Sequence, residues 1–118
     1  ELVDRGQIEG GLAQGLGWMT IEDLRFNEKG QLLSGALATY KVPDVYFMPD
    51  TIELTFLEDE GNTLGPYGNK AVGEPPLMYG IGVFFAIRYA MRTFRPQKEF
   101  AFTSPLTPER VLLQLYAD

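Results

Sequence analysis

The sequence predicts an α+β fold in which a small, mostly antiparallel sheet packs with two longer helices and a short C-terminal helix. Apolar residues recur at helical spacing in two long segments, one segment alternates between apolar and polar residues, and a short turn joins two extended runs. The 118 residues are enough for one small domain. Because two helices would cover one face of the sheet, the more apolar helix is expected to need further protein around it.

The first helix is predicted over residues 7–20, where apolar side chains recur at the spacing of one helix face. Gly10, Gly11 and Gly15 lie inside it, and each costs about 1 kcal/mol relative to Ala in a helix interior. These glycines suggest that something approaches the helix backbone closely. It is either a packed helix or sheet, or a bound molecule.

The next segments are predicted to form the sheet. Residues 22–26 and 31–33 are joined by a turn from Asn27 to Gly30, which supplies the positive φ that a short hairpin loop requires. Residues 51–57 alternate between apolar and polar side chains, and this pattern predicts a half-buried strand.

Two further helices are predicted towards the C-terminus. The first covers residues 75–93 and begins with two prolines, which are favoured in a first helical turn. It is apolar on most of its surface up to Ile87, so we expect it to be largely buried. The last helix is predicted over residues 107–116, with Thr107 as the N-cap and Pro108 at the first helical position.

The composition narrows the chemistry. The chain has no Cys and no His, which excludes disulfides, Cys-ligated iron–sulfur clusters, His-based zinc sites and Ser-His-Asp triads within it. Any general base must be a carboxylate, Lys or Tyr. The net charge of −6 argues against nucleic acid and anionic membranes as partners. The missing Cys is typical of a cytoplasmic protein, and the acidic residues 58–60 are expected in a solvated loop.

Glu74 is the best candidate for a catalytic group. It follows Gly73 and precedes two prolines at the predicted start of an apolar helix. The partial positive charge of a helix start favours the carboxylate, whereas apolar surroundings disfavour it. A carboxylate held between these effects is a candidate base. The alternative interpretation is an ordinary acid that caps a helix.

A run of eight residues resembles the active-site loop of the molybdenum hydroxylases of the xanthine dehydrogenase and aldehyde oxidase family: Lys70-Ala71-Val72-Gly73-Glu74-Pro75-Pro76-Leu77. Upstream, residues 6–11 and 14–17 resemble the glycine-rich helix that passes beside the molybdopterin in that family, and residues 39–43 resemble a further signature. The resemblance implies that residues 1–118 form one segment, the C-terminal part of a molybdopterin-binding domain within a larger molybdenum-binding protein. Asn69 stands where Ser is usual in the family.

The resemblance also implies roles for individual residues. Glu74 is expected to be the catalytic base, and no residue of the chain is expected to ligate the metal. The expected cofactor-binding residues are one glutamine of the first helix and four residues of the loop that presents Glu74, namely Gln7, Lys70, Ala71, Val72 and Gly73.

The function implied by the resemblance is that of an oxidoreductase. The complete protein would hydroxylate a heteroaromatic, purine-like substrate or an aldehyde with oxygen derived from water. It would use a molybdenum–molybdopterin cofactor, with 2Fe-2S clusters and FAD in other domains or subunits. The expected partners are these domains or subunits, the rest of the molybdenum-binding subunit and a small-molecule substrate.

The isolated chain is expected to be inactive, because the rest of the active site is not in its sequence. It is also expected to expose apolar surface and to self-associate. The alternative hypothesis is a truncated, non-catalytic module for cofactor binding or assembly.

Overall fold

The computed structural model describes residues 2–57 and 64–117. Over these ranges the chain forms three α-helices, which are α1 (Leu2–Thr20), α2 (Ile81–Phe94) and α3 (Pro108–Tyr116). Two 3₁₀ helices cover Pro66–Gly68 and Pro75–Gly80. We call the second of these the proline turn. The acidic residues 58–60 lie outside the described residues.

The predicted sheet is wrong, because the described ranges contain helices and no strand. The hairpin keeps its turn: the Asn27 N–H donates to the carbonyl of Gln31 at 3.0 Å, and Gly30 has a φ of +75°. Only one antiparallel bridge follows, between Phe26 and Leu32, and both side chains are exposed. A two-stranded hairpin is marginally stable alone, and this one has no buried face against which a ladder could extend.

Residues 51–57 keep the alternation of a strand without a strand partner. Ile52 and Leu54 are half-buried, whereas the alternating polar residues Thr51, Glu53 and Thr55 are exposed. The guanidinium carbon of Arg5 in α1 lies over the ring of Phe56, 5.9 Å from the ring centroid. The alternation therefore predicts which side of the segment faces the protein. A strand also requires a neighbouring extended segment, and none pairs with it in the described chain.

The helix predictions are partly confirmed. α1 begins at Leu2, earlier than predicted, and α3 begins at Pro108 as predicted. Thr107 caps α3, because its Oγ1 accepts a hydrogen bond from the Arg110 N–H at 3.2 Å. The helix predicted from residue 75 is divided into the proline turn and α2.

The two prolines explain how the proline turn begins. Pro75 and Pro76 have no N–H to donate. The first hydrogen bond of the turn therefore comes from the Leu77 N–H, which donates to the carbonyl of Glu74 at 3.0 Å. A hydrogen bond from the N–H of residue i+3 to the carbonyl of residue i is the pattern of a 3₁₀ helix.

A small apolar core joins the three helices. Met19 of α1, Phe84 of α2 and Leu106 before α3 are buried together. The Leu106 N–H also donates to the carbonyl of Met19 at 2.8 Å. This backbone hydrogen bond ties the segment before α3 to the end of α1.

The second helix is not largely buried within the described chain, which agrees with the expectation that it needs further protein around it. Phe84 and Met91 are the buried residues of α2. Phe85 is 54% exposed and Tyr89 is 75% exposed. The periodicity of α2 correctly marks apolar residues, but the described part of the chain does not supply enough protein to cover them. No helix within that part is long and apolar enough to cross a membrane.

Candidate functional site

The proline turn packs directly on the backbone of α1. A Cβ atom at Gly15 would overlap the carbonyl oxygen of Leu77 and would lie 2.9 Å from the Cα of Gly80. A Cβ atom at Gly80 would in turn overlap the backbone of Gly15. Only glycine at both positions allows this approach, so packing within the chain accounts for Gly15.

Gly11 extends this contact to the beginning of the proline turn. A Cβ atom at Gly11 would lie 3.1 Å from the backbone nitrogen of Leu77, 3.3 Å from the carbonyl oxygen of Glu74 and 3.3 Å from the Cβ of Pro76. These separations are tighter than most real Cβ contacts. The backbone of α1 at Gly11 therefore lies close to the backbone of Glu74 itself.

Glu74 precedes the proline turn as its N-cap residue, with φ −105° and ψ 22°. Its side chain makes no capping hydrogen bond, and the prolines that follow offer no N–H in the first two positions of the turn. The interpretation of Glu74 as a capping acid is therefore wrong. Glu74 is exposed and Val72 is 46% exposed, so the apolar surroundings expected for the carboxylate are not present within the described residues.

The predicted cofactor-binding residues fall into two groups. Gln7 is half-buried in α1 and lies one helical turn before Gly11, on the same side of the helix. The carbonyl oxygen of Glu74 lies against Gly11, which is one helical turn after Gln7. Lys70, Ala71 and Val72 are exposed, and Gly73 is half-buried.

The other two glycines of this part of α1 lie on an open side of the helix. A Cβ atom at Gly6 or Gly10 would meet no atom of the described chain within 4 Å. A flat molecule can approach a helix backbone closely where glycines leave it bare, and the Gln7 amide offers both donors and an acceptor beside it. Within the described chain, this side of α1 is therefore open to a ligand or to further protein. No group of three or more Asp, Glu, His or Cys side chains in the described ranges is arranged to hold a metal ion.

A hydrogen bond at the end of α1 was not predicted from the sequence. The Tyr40 hydroxyl donates to the Glu22 carboxylate, a contact between segments 18 residues apart. The same carboxylate and Pro43 cover Gly17, where a Cβ atom would overlap both. Tyr40 and Pro43 belong to the signature at residues 39–43, but no local pattern in the sequence indicates that this segment packs on the end of α1.

The ionisation of Tyr40 reflects this contact. The hydrogen bond to Glu22 raises the pKa of Tyr40 above its ordinary value of 10.0, with smaller contributions from burial and from the negative charge of Glu22. A phenol that donates to a carboxylate loses that bond when it ionises and gains a like charge beside it. Tyr40 is therefore a protonated structural donor at neutral pH.

An apolar groove of about 210 Å³ lies apart from Glu74, between the end of α1 and the start of α2. Trp18, Phe85 and Phe102 line it and are all more than half exposed. No residue of the 70–77 loop lines this groove. Its aromatic walls leave apolar surface in contact with solvent.

Comparisons with known proteins agree with the resemblance predicted from the sequence. Residues 1–49 match the model of a molybdopterin cofactor-binding domain. Xanthine dehydrogenase 1 of Arabidopsis thaliana is 36% identical over 97% of this chain, and xanthine dehydrogenase/oxidase of Rattus norvegicus is 39% identical over 92% of it. The chain spans 9% of the length of each of these relatives.

A solved structure shows the same similarity in three dimensions. The crystal structure of quinoline 2-oxidoreductase from Pseudomonas putida 86 superimposes with a TM-score of 0.79 at 30% sequence identity. The match covers 97% of this chain and 14% of that one. The resemblance is thus confirmed over almost the whole length of the chain.

Proposed function

The chain belongs to the xanthine dehydrogenase family of molybdenum hydroxylases and covers a small part of the length of its relatives, and we propose that it supplies the catalytic base of such an enzyme. Residues 1–118 form the C-terminal part of a molybdopterin-binding domain in this proposal. The complete protein hydroxylates a heteroaromatic, purine-like compound or an aldehyde, with oxygen derived from water. The isolated chain is inactive, because it covers 9% of its relatives' length.

The observation that best supports the proposal is that the proline turn, which begins after Glu74, packs against α1. The backbone of the proline turn is pressed against Gly11 and Gly15, and the Glu74 carboxylate is not used to cap the turn. A general base needs a fixed position and an unprotonated group. Glu74 meets the first requirement through its backbone, and its carboxylate, which makes no capping hydrogen bond, is the group that would accept the proton.

The cofactor proposal rests on the open side of α1. Gly6 and Gly10 leave the helix backbone accessible, and the Gln7 amide can hydrogen-bond to a pterin ring. Residues 70–73 contribute backbone groups from the exposed loop before Glu74. When bound, the molybdenum–molybdopterin cofactor supplies the redox chemistry of the hydroxylation. Glu74 accepts the proton that the reaction releases at the attacking oxygen.

The partner proposal follows from the uncovered apolar surface. The rest of the molybdenum-binding subunit covers α2 and the aromatic groove, which are exposed in the described chain. Domains or subunits with 2Fe-2S clusters and FAD carry the electrons away. The isolated chain self-associates through the same surface. A cytoplasmic location of the complete protein is also part of this proposal.

Glu74→Gln in the complete, cofactor-loaded protein tests the proposal. Loss of a general base lowers turnover by roughly 100-fold or more, and we expect the molybdenum and pterin content per protein to stay unchanged. Glu53→Gln, which alters an exposed carboxylate of the 51–57 segment, is the matched control and should retain turnover. Near-normal turnover of Glu74→Gln would contradict the catalytic role and favour the non-catalytic module.

A further inference from the structure

We infer that Gly11 is a positioning residue for the Glu74 carboxylate, an inference that rests on the proposed function. Gly11 does not reach the reacting atoms in this assignment. It acts through the backbone of the proline turn, because the absence of a side chain at position 11 lets the turn lie directly on α1. The position of the base is thereby set by a residue far from it in the sequence.

The contact at Gly11 involves both ends of the first hydrogen bond of the turn. The Leu77 nitrogen lies 3.1 Å and the Glu74 carbonyl oxygen 3.3 Å from a Cβ atom placed on Gly11. These two atoms are joined by the 3.0 Å hydrogen bond that closes the turn after Glu74. A methyl group at position 11 would push against this bond directly.

The turn has little freedom to absorb such a push. Pro75 and Pro76 fix two successive φ angles between Glu74 and Leu77. At the other end, the backbones of Gly15 and Gly80 are already in close contact. A displacement at Leu77 is therefore passed on to Glu74, where the chain continues into an exposed loop.

The expected displacement is small. At 3.1–3.3 Å the neighbouring atoms must yield by a few tenths of an ångström. Since a misplacement of about 1 Å can cost about 100-fold in rate, we expect Gly11→Ala to lower kcat by about tenfold. Gly15→Ala is less suitable for this test, because its Cβ would overlap a backbone carbonyl and the resulting loss of stability would mix with any effect on rate.

The experiment compares Gly11→Ala with Gly35→Ala in the complete, cofactor-loaded protein. Gly35 is exposed outside the three helices, and a Cβ atom there would meet the Leu32 side chain at an ordinary contact distance of 3.8 Å. Turnover is expressed per molybdenum, so that a loss of cofactor is not counted as a loss of rate. For Gly11→Ala we expect kcat to fall about tenfold with KM nearly unchanged. Amide hydrogen exchange at Leu77 should also become faster, and Gly35→Ala should change neither quantity.

The double variant Gly11→Ala/Glu74→Gln separates positioning from general damage. If Gly11 acts through Glu74, Gly11→Ala lowers kcat in the wild-type background and has little further effect when Glu74 is already Gln. A tenfold loss in both backgrounds would overturn the inference, as would a wild-type kcat for Gly11→Ala. In either case, a large loss from Glu74→Gln alone would leave the proposed function intact, and its absence would refute that function separately.

Discussion

The glycines of α1 form two pairs that look alike in the sequence and differ in the structure. Gly11 and Gly15 are buried and touch the backbone of the proline turn, whereas Gly6 and Gly10 are exposed and touch no other part of the described chain. Both pairs are spaced by four residues, so each forms a stripe on one side of the helix. Packing within the chain explains the first pair and leaves the second for a ligand or a partner.

This difference separates two explanations for glycines in a helix, which are close packing within the chain and space for a ligand or a partner. A packed glycine is required by the contact it makes, and its replacement is penalised by overlap. An open glycine weakens the helix by about 1 kcal/mol relative to Ala and has no visible compensation. The second pair is therefore the more informative one about function.

Gly15→Ala should disrupt the contact between the packed glycines and the proline turn, and it should give the largest change in stability. The new methyl group overlaps the Leu77 carbonyl, and overpacking of this kind costs about 1–3 kcal/mol or more. Because the overlap is severe, we take the upper end of this range, about 3 kcal/mol; since Ala favours the helix by about 1 kcal/mol, we expect a net loss of about 2 kcal/mol. Amide hydrogen exchange of α1 and the proline turn in the complete protein measures this local stability. An increase in protection would show that the close contact is absent.

Tyr40→Phe should weaken the contact that covers Gly17, with an intermediate effect. A hydrogen bond between a hydroxyl and a carboxylate contributes about 1–2 kcal/mol, so thermal unfolding near pH 7 should show a loss of that size. Because Glu22 raises the pKa of Tyr40, its contribution is fully present below about pH 10 and is lost as the pH rises through the raised pKa. The stability difference between wild type and Tyr40→Phe should therefore shrink above pH 10. A difference that is constant from pH 8 to 12 would contradict this assignment.

Gly10→Ala tests the open pair of glycines. We expect it to have the smallest effect on stability of the three variants and to stabilise α1, whereas Gly15→Ala destabilises it. No atom of the described chain opposes the methyl group, so local protection of α1 should rise by up to about 1 kcal/mol. In the complete protein the same methyl group should lower the molybdopterin content, because it fills the space proposed for the cofactor. Unchanged cofactor content would remove the open pair from the proposed binding surface, and a loss of protection would show that position 10 is not open.

The sequence predicted those features that depend on neighbouring residues. Thr107 and Pro108 correctly marked the start of α3, and the Asn27 and Gly30 turn formed as expected. The segment 51–57 kept its alternating burial without becoming a strand. Alternation, capping and turn formation are local, whereas a sheet needs a second extended segment at the right distance.

The candidate site could be predicted only in part. Glu74 and its loop were identified from a run of eight residues, and α1 was recognised as a glycine-rich helix. The sequence predicted neither the division at Gly80 nor the contact between Gly11 and the carbonyl of Glu74. Both depend on which side of α1 meets a segment that comes much later in the chain.

The sequence by itself determined that this chain carries a glycine-rich helix and a Glu-Pro-Pro loop. It also determined that, without Cys or His, a carboxylate, Lys or Tyr must serve as any general base. The tertiary structure decided which glycines of α1 are used for packing and which stay open. The physical reason is that a glycine permits close approach from any direction, and only the folded chain determines what approaches it.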